Sequence, residues 1–319
     1  MKKIRLALLS GGVSSEREVS LNSGKQVFEA LDKDKYDITL YDPKSELKQL
    51  VIDADKIDAA LIILHGPFGE DGTVQGLLDL LDIPYQGAGV LGSAMAMNKL
   101  VAKRLYDGAK IPTPSYLSFS MIDKINSSNV VETLGLPVVV KPACAGSSVG
   151  MTIVKDESNL QDAISLGFEH DDTLIIEKYI KGIELTCGVL GNDELEALPI
   201  IEIIPGEGHE FFDYKAKYVA GETKEICPAR IDESTTKKAQ QLAIRAHQAL
   251  FLKGYSRTDF ILCNTELTVL ETNTIPGMTA TSLFPQSAQV AGYSFTELLD
   301  KLIQLSIKEH TKQKLRRSA

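Results

Sequence analysis

A chain of 319 residues is about twice the usual domain length, which implies two or three domains, each with its own core. Its composition, 44% apolar and 24% charged with 24 glycines and 12 prolines, excludes disordered, collagen-like and coiled-coil classes. A net charge of -9 argues against a broad nucleic-acid footprint, which needs a basic face to displace counterions, while leaving room for a local basic patch.

In chain order, the N-terminal part alternates short apolar runs with helical periodicity, the pattern of an α/β layer around a parallel sheet. Ile4 to Leu9 reads as the first strand. Met1-Lys2-Lys3 imitates the basic start of a signal peptide, but Arg5 and Ser10 confine the apolar stretch to Leu6–Leu9, against the roughly 7 to 15 residues expected. The longest aliphatic run, Ala59 to Leu64, is far below the ~20 residues of a membrane-spanning helix. A cytoplasmic protein with no membrane segment follows. Gly11-Gly12 turns the chain, and Ser15-Glu16-Arg17-Glu18 reads as a capping box opening a helix to about Leu31. Strands at Asp37–Tyr41 and Ala59–Leu64, a helix at Thr73–Leu81 and a short strand at Ile83–Gln86 come next, and Gly87 opens one long helical stretch to near Gly108.

Pro112 and Pro114 mark a linker, since each biases its predecessor out of helical geometry. A second unit has strands at 115–119, 137–141, 149–154 and 173–179, with a helix at 157–169. A third has strands at 183–190 and 195–204, an irregular stretch to about 228, a helix at 235–252, a hairpin across 257–273, and helices from 282 and 295. Ser294-Phe295-Thr296-Glu297 is a second capping box, and the basic end after Ile307 reads as a solvated, frayed terminus. The four cysteines lie far apart without a C-x-x-C, which suggests reduced thiols and neither zinc nor a disulfide framework.

Several segments have the residue types that chemistry needs. Gly87-Ala88-Gly89-Val90-Leu91-Gly92 is a literal G-x-G-x-x-G, yet it follows the wrong strand for a dinucleotide fold and lacks the acidic strand end, so it reads as a structural turn. Lys141-Pro142-Ala143-Cys144-Ala145-Gly146-Ser147-Ser148-Val149-Gly150 joins two strands. Its amides and hydroxyls suit an anion with Lys141 at the base, and its composition equally suits an ordinary hairpin turn. Arg257 to Asn273 is two apolar strands with polar outer ends. A three-residue loop at 264–266 would put Asp259 opposite Glu271 and Arg257 opposite Asn273 on one face, either a donor set for Mg²⁺ or a solvated salt-bridge cluster at a sheet edge; a two-residue loop would split the acids between faces. Glu16 fits either helix capping or a ligand's ammonium, and His65 ends a strand where open α/β sheets place ligands.

Taken together, Ser15-Glu16-Arg17-Glu18-Val19-Ser20, the turn from His65-Gly66 to Gly72, Gly146-Ser147-Ser148-Val149-Gly150, Tyr214-Lys215-Ala216-Lys217-Tyr218, Arg257-Thr258-Asp259 and Glu271 to Thr279 resemble, in order and spacing, the D-alanine:D-alanine ligases of the ATP-grasp superfamily. The resemblance implies an α/β and α+β chain: an N-terminal open parallel-sheet (pre-ATP-grasp) domain, 1–98, followed by a two-domain ATP-grasp fold, 99–182 and 183–319. It implies ligation of two D-alanines to D-alanyl-D-alanine through an acyl phosphate, with ATP and two Mg²⁺ or Mn²⁺ ions, for peptidoglycan precursor synthesis.

Residue by residue, the resemblance implies that Lys99, Lys141 and Lys217 meet the ATP phosphates, that Glu184 meets the ribose and Glu177 the adenine hinge, and that Ser147, Ser148, Lys178 and Ile180 complete the nucleotide site. Asp259, Glu271 and Asn273 would hold the metal ions. Glu16 would anchor the first D-alanine's ammonium near His65, Arg257 would stabilise oxyanion charge, and Ser282, with Gly277 and Leu283, would take the second D-alanine's carboxylate. Ser147 and Tyr218 would join Glu16 in a latch closing a loop, about 205–223, whose Gly206, Gly208 and Gly221 suit a mobile cover. A homodimer through the first domain is implied as well. Ala143-Cys144-Ala145 and Ile275 depart from the commonest family wording without removing any residue given a role. Tyr218 favours an amine as second nucleophile over D-lactate; D-alanyl-D-lactate or D-alanyl-D-serine formation, a silent nucleotide binder and, from Gly87–Gly92, a nicotinamide oxidoreductase are the competing readings.

Overall fold

The computed structural model describes residues 2–146, 149–206 and 223–317. Among them, β1 (Ile4–Ser10), β2 (Tyr36–Tyr41) and β3 (Ala59–Ile63) form a parallel sheet in the order β2-β1-β3. β1 and β3 are apolar on both faces because both are covered. Leu6, Leu8, Leu61 and Ile63 share one core with α1 (Arg17–Ala30), while Ala7, Leu9, Ala60 and Ile62 belong to the other. The last helix, α10 (Phe295–Arg317), returns to the first of these faces with Leu298, Leu299, Leu302 and Ile303, so the two ends of the chain share a core. Its basic end is helical through Arg317, with Lys312 2.5 Å from Asp193 and Lys314 paired to Asp82, where a frayed terminus was expected.

The second sheet is antiparallel, β4 (Tyr116–Ser120), β7 (Thr173–Lys178), β5 (Val138–Pro142) and β6 (Thr152–Val154) in that order, backed by α6 (Ser127–Leu134) and α7 (Leu160–Phe168). Helix α6 escaped the sequence reading; Asn126 caps it by accepting from the Ser128 and Asn129 amides at 2.9 and 3.3 Å. The third sheet runs β11 (Thr223–Ile226), β10 (Ile201–Pro205), β8 (Ile183–Gly191), β12 (Gly254–Cys263), β13 (Glu266–Asn273), with β9 (Glu196–Ala197) paired to β8. Alternation sorts its two faces. Leu185, Cys187, Val189, Phe260 and Leu262 pack under Ala239, Ala243 and Ala246 of α8 (Glu233–Ala249), which sends Glu184, Arg257 and Asp259 to the opposite side.

Three local expectations need correction. The box at Ser15–Glu18 does not form. Glu16 occupies the N-cap position without a side-chain capping bond, while Ser14 Oγ accepts from the Glu16 amide at 3.2 Å and donates to the His65 carbonyl at 2.7 Å. The second box does form: the Ser294 amide donates to Glu297 at 2.8 Å and the Glu297 amide to Ser294 Oγ at 3.2 Å. The long helix from Gly87 is broken at Asn98 into α4 (Gly89–Met97) and α5 (Lys99–Gly108). Asn98 accepts from the Val101 amide at 3.0 Å, and the Lys99 amide turns outward to the Ala143 carbonyl at 2.9 Å. Finally, Cys263 pairs with Glu266, so the hairpin loop has two residues, not three. A β-bulge at Leu270 then shifts the register so that Asp259 faces Glu271 and Arg257 faces Asn273 after all.

The loop entering α1 is held by Arg17, 2.6 Å from Asp42, whose carboxylate also accepts from the Gly12 amide at 2.9 Å. These bonds, Arg17 first, lower the Asp42 pKa to about 2. A depressed carboxylate stabilises the fold above its unfolded pKa and loses that contribution as pH falls toward 2. Asp42→Asn should therefore cost about 1–2 kcal/mol in urea unfolding at pH 7, with the gap to wild type shrinking between pH 4 and 2.

Candidate active site

A cleft of about 620 Å³ opens where the three sheets meet. Its floor is the face of the third sheet bearing Glu184, Arg257, Asp259, Glu271 and Asn273. The Leu270 bulge is what brings Glu271 and Asn273 onto that face. Arg257 donates twice to Asp259, from Nε and Nη2 at 2.9 Å each, and Asp259 also accepts from Thr186 Oγ1 at 2.6 Å and Asn273 Nδ2 at 3.1 Å. Four hydrogen bonds from three side chains thus fix one carboxylate.

On the second sheet's side stand Lys99, at the first position of α5, and Lys141 on β5. Lys99 Nζ donates to the Ala145 carbonyl at 2.5 Å and lies 4.0 Å from Glu271, which ties α5 to both the glycine loop and the floor. Lys141 is 2.7 Å from Glu177. Glu177 is buried behind Lys141 and does not line the cleft; nor do Lys178 and Ile180, Lys178 being exposed. Ser147, Ser148, Lys217 and Tyr218, with residues 207–222 of the expected lid, lie outside the described residues.

The parallel sheet contributes Glu16, His65 and Glu70, all at the carboxyl end of its strands. Glu16 is 6% exposed and needs glycine on two sides: a Cβ at Gly66 would sit 3.1 Å, and one at Gly146 3.2 Å, from its Oε2. His65 is buried and bonded to the Ile275 backbone; its Nε2 has no partner among the described residues. Burial, opposed by Glu16, holds its pKa below the ordinary value, so the ring is neutral and its buried Nε2 is an acceptor. Ser282, Gly277 and Leu283 close the far end, where Ser282 stands at the N-terminus of α9 (Leu283–Val290), and its hydroxyl lies 2.7 Å from Thr279 Oγ1.

Two charged groups were missed in the sequence. Glu70 accepts from the Gly66 amide at 2.7 Å, and burial, then the nearby Glu16, raise its pKa to about 8. Lys103 is 1% exposed and 2.9 Å from Glu177. The signal for Lys103 was its spacing, one helical turn after Lys99 on a face that also bears Tyr106. Gly87–Gly92, in contrast, belongs to a separate cavity of about 380 Å³, and the strand before it makes a single bridge, Ala60 to Tyr85.

The sequence matches the family described as D-ala D-ala ligase C-terminus over residues 105–304 and that described as D-ala D-ala ligase N-terminus over 5–50 and 41–88. A D-alanine--D-alanine ligase of Syntrophobacter fumaroxidans is 58% identical over 308 residues, 97% of this chain and 99% of the relative. The structure of the Bacillus anthracis D-alanine--D-alanine ligase complexed with ATP superposes with a TM-score of 0.86 at 35% identity, covering 97% of this chain and 99% of that one. A D-Ala:D-Ser ligase from Enterococcus faecalis gives 0.82 at 34%, covering 96% and 100%.

The raised pKa of Glu70 has a thermodynamic consequence. Between about 4.5 and 8 the folded protein keeps a proton there that the unfolded chain has lost, so stability falls as pH rises through that window. Glu70→Gln cannot ionise, and should gain stability relative to wild type on going from pH 5 to pH 8, read as a widening difference in Tm. A difference that stays constant over that range would mean that Glu70 is ionised in the fold.

Proposed function

The chain belongs to the D-alanine--D-alanine ligase family, and on that premise we propose how its cleft joins two D-alanines to D-alanyl-D-alanine at the expense of ATP. The single observation that carries the assignment of roles is the register of the third sheet. It faces Arg257, Asp259, Glu271 and Asn273 onto the cavity that also holds Glu16 and His65. An ATP-grasp fold holds its nucleotide between the two antiparallel sheets, where Lys99, Lys141 and Glu184 line the cleft; Lys217, Ser147 and Ser148 are proposed to complete that half. Glu177, Lys178 and Ile180 are proposed for the adenine end.

In the first step the carboxylate of one D-alanine attacks the γ-phosphorus, giving an acyl phosphate and ADP. The Glu16 carboxylate suits its ammonium, with the neutral ring of His65 also lining that end, which supports placing the first D-alanine there. In the second step the amine of the other D-alanine attacks the acyl carbonyl, loses its proton, and phosphate leaves. Arg257 answers the oxyanion, and Ser282, with Gly277 and the amide end of α9 at Leu283, receives the second carboxylate. Water must be kept from the acyl phosphate, and residues 205–223 with Tyr218 are the proposed cover.

Asp259, Glu271 and Asn273 offer carboxylate and amide oxygens as ligands, Asn273 turning its amide nitrogen to Asp259, and two of them are carboxylates in register. That set fits one or two Mg²⁺ or Mn²⁺ ions, which would supply neutralisation of phosphate charge. The break at Asn98 supports a boundary there, and we take the division 1–98, 99–182 and 183–319 as the working domain scheme, with a homodimer through the first. Among the described residues no helix is long and apolar enough to cross a membrane. A role in cytoplasmic peptidoglycan precursor synthesis is proposed with the reaction.

Phosphate release from ATP and Mg²⁺ tests the reading with D-alanine, L-alanine, or D-alanine plus D-lactate or D-serine. D-alanine alone should suffice and yield the dipeptide, and Asp259→Asn should lower the rate about a hundredfold or more. Release that requires D-lactate or D-serine would transfer the chain to the corresponding ligase; ATP binding without release would make it a silent binder.

A further inference from the structure

Lys103 is the most deeply buried ammonium among the described residues, and no step above uses it. It projects from α5 one turn after Lys99, is 1% exposed, and is closely held. Its Nζ donates to Thr113 Oγ1 at 2.6 Å and to the Pro114 carbonyl at 3.2 Å, lies 2.9 Å from Glu177 Oε1, and sits 4.8 Å from the centre of the Tyr116 ring. The other oxygen of Glu177 is 2.7 Å from Lys141. One buried carboxylate therefore bridges two lysines of different exposure, Lys103 wholly enclosed and Lys141 lining the cleft.

We propose that Lys103 is a positioning residue for the nucleotide half of the site: it holds Glu177 so that Lys141 can turn its charge to an incoming phosphate. The proposal rests on the reading of the cleft as an ATP site. Lys141 cannot serve two anions equally. If it were the sole counter-charge of Glu177, moving toward a phosphate would strand a buried carboxylate, and breaking such a pair is strongly unfavourable. With Lys103 in place, Glu177 keeps a partner throughout, and Lys141 exchanges one anion for another. Thr113 and Pro114 keep Lys103 itself from following, because both belong to the segment that anchors it from behind.

The balance is sensitive to pH. Burial, opposed by Glu177 on β7 and reinforced by Lys141 on β5, lowers the Lys103 pKa to about 8, with Asp107 on its own helix acting the other way and only the Tyr116 ring facing it from β4. Above that pH the ammonium is lost and Glu177 reclaims Lys141. ATP affinity should therefore decline as pH rises from 7 to 9.

The test is ATP·Mg²⁺ binding to the full chain by titration calorimetry without D-alanine, beside steady-state kinetics, for wild type, Lys103→Met and Lys103→Arg. Lys103→Met should weaken ATP about ten- to hundredfold and leave the KM for D-alanine within about threefold. It should also abolish the decline between pH 7 and 9. Lys103→Arg, whose charge does not titrate there, should retain most of the affinity and also lose the decline. A folded Lys103→Met that binds ATP as wild type does overturns the proposal alone, as does a loss shared equally by ATP and D-alanine with an unaltered pH profile. A wild type that binds no ATP overturns the site reading with it. Should Lys103→Met fail to fold, Thr113→Val removes the 2.6 Å bond and keeps the charge. It must then show a smaller loss confined to ATP, and ATP affinity equal to wild type overturns the proposal.

Discussion

One inserted residue sets the register on which the cleft depends. The two-residue turn at Asn264-Thr265, taken alone, pairs Cys263 with Glu266 and would carry Glu271 to the face opposite Asp259. Leu270 bulges out and restores the pairing. The register below the bulge is locked from beneath: Thr272 is buried, 3.0 Å from Thr258 Oγ1, and accepts from Tyr106 of α5 at 2.8 Å. Without the bulge a charged Glu271 would take that dry position, and the cost of burying an unpaired carboxylate selects the observed arrangement. Because Tyr106 belongs to the helix that begins at Lys99, the same hydroxyl chain also ties that helix, with Lys99 and Lys103, to the floor.

Much of this was legible because strand alternation is a robust signal. The apolar β1 and β3, the two faces of the hairpin, and the juxtaposition of Asp259 with Glu271 all follow from period two. The route to that juxtaposition was misread, since a three-residue loop and a two-residue loop with a bulge give the same parity and counting residues cannot separate them. The break at Asn98 was hidden for a different reason. Apolar residues continue through it, and what ends α4 is a tertiary bond from the Lys99 amide to Ala143, which no local pattern contains. Glu16 was read as either cap or ligand group; it occupies the cap position, but its carboxylate makes no capping bond and lines the cleft.

Lys103 and Glu70 show the limit of such reading more sharply. Both look like solvated charges in sequence, one in an amphipathic helix and one in a glycine-rich turn. Their burial comes from elements far along the chain, Glu177 for the first and the Ile275 backbone for the second. A charge becomes informative only when its surroundings exclude water, and that exclusion is a property of the assembled sheets.

Several charges in and behind the cleft are paired within the protein: Asp259 with Arg257, Glu177 with Lys141 and Lys103, Lys99 with the glycine loop and Glu271. This has a mechanistic consequence. A phosphate or a cation arriving there does not ask the protein to desolvate a bare charge, since it replaces one partner of an existing pair by another of the same sign. The guanidinium of Arg257 already supplies cation charge beside Asp259, and Glu177, buried behind Lys141, already supplies anion charge to that lysine. Preorganisation of this kind keeps the residues in place at small cost in reorganisation. It also requires that each displaced partner have somewhere else to go. In the proposed scheme that place is the reacting carbonyl for Arg257 and, for Glu177, the buried ammonium of Lys103.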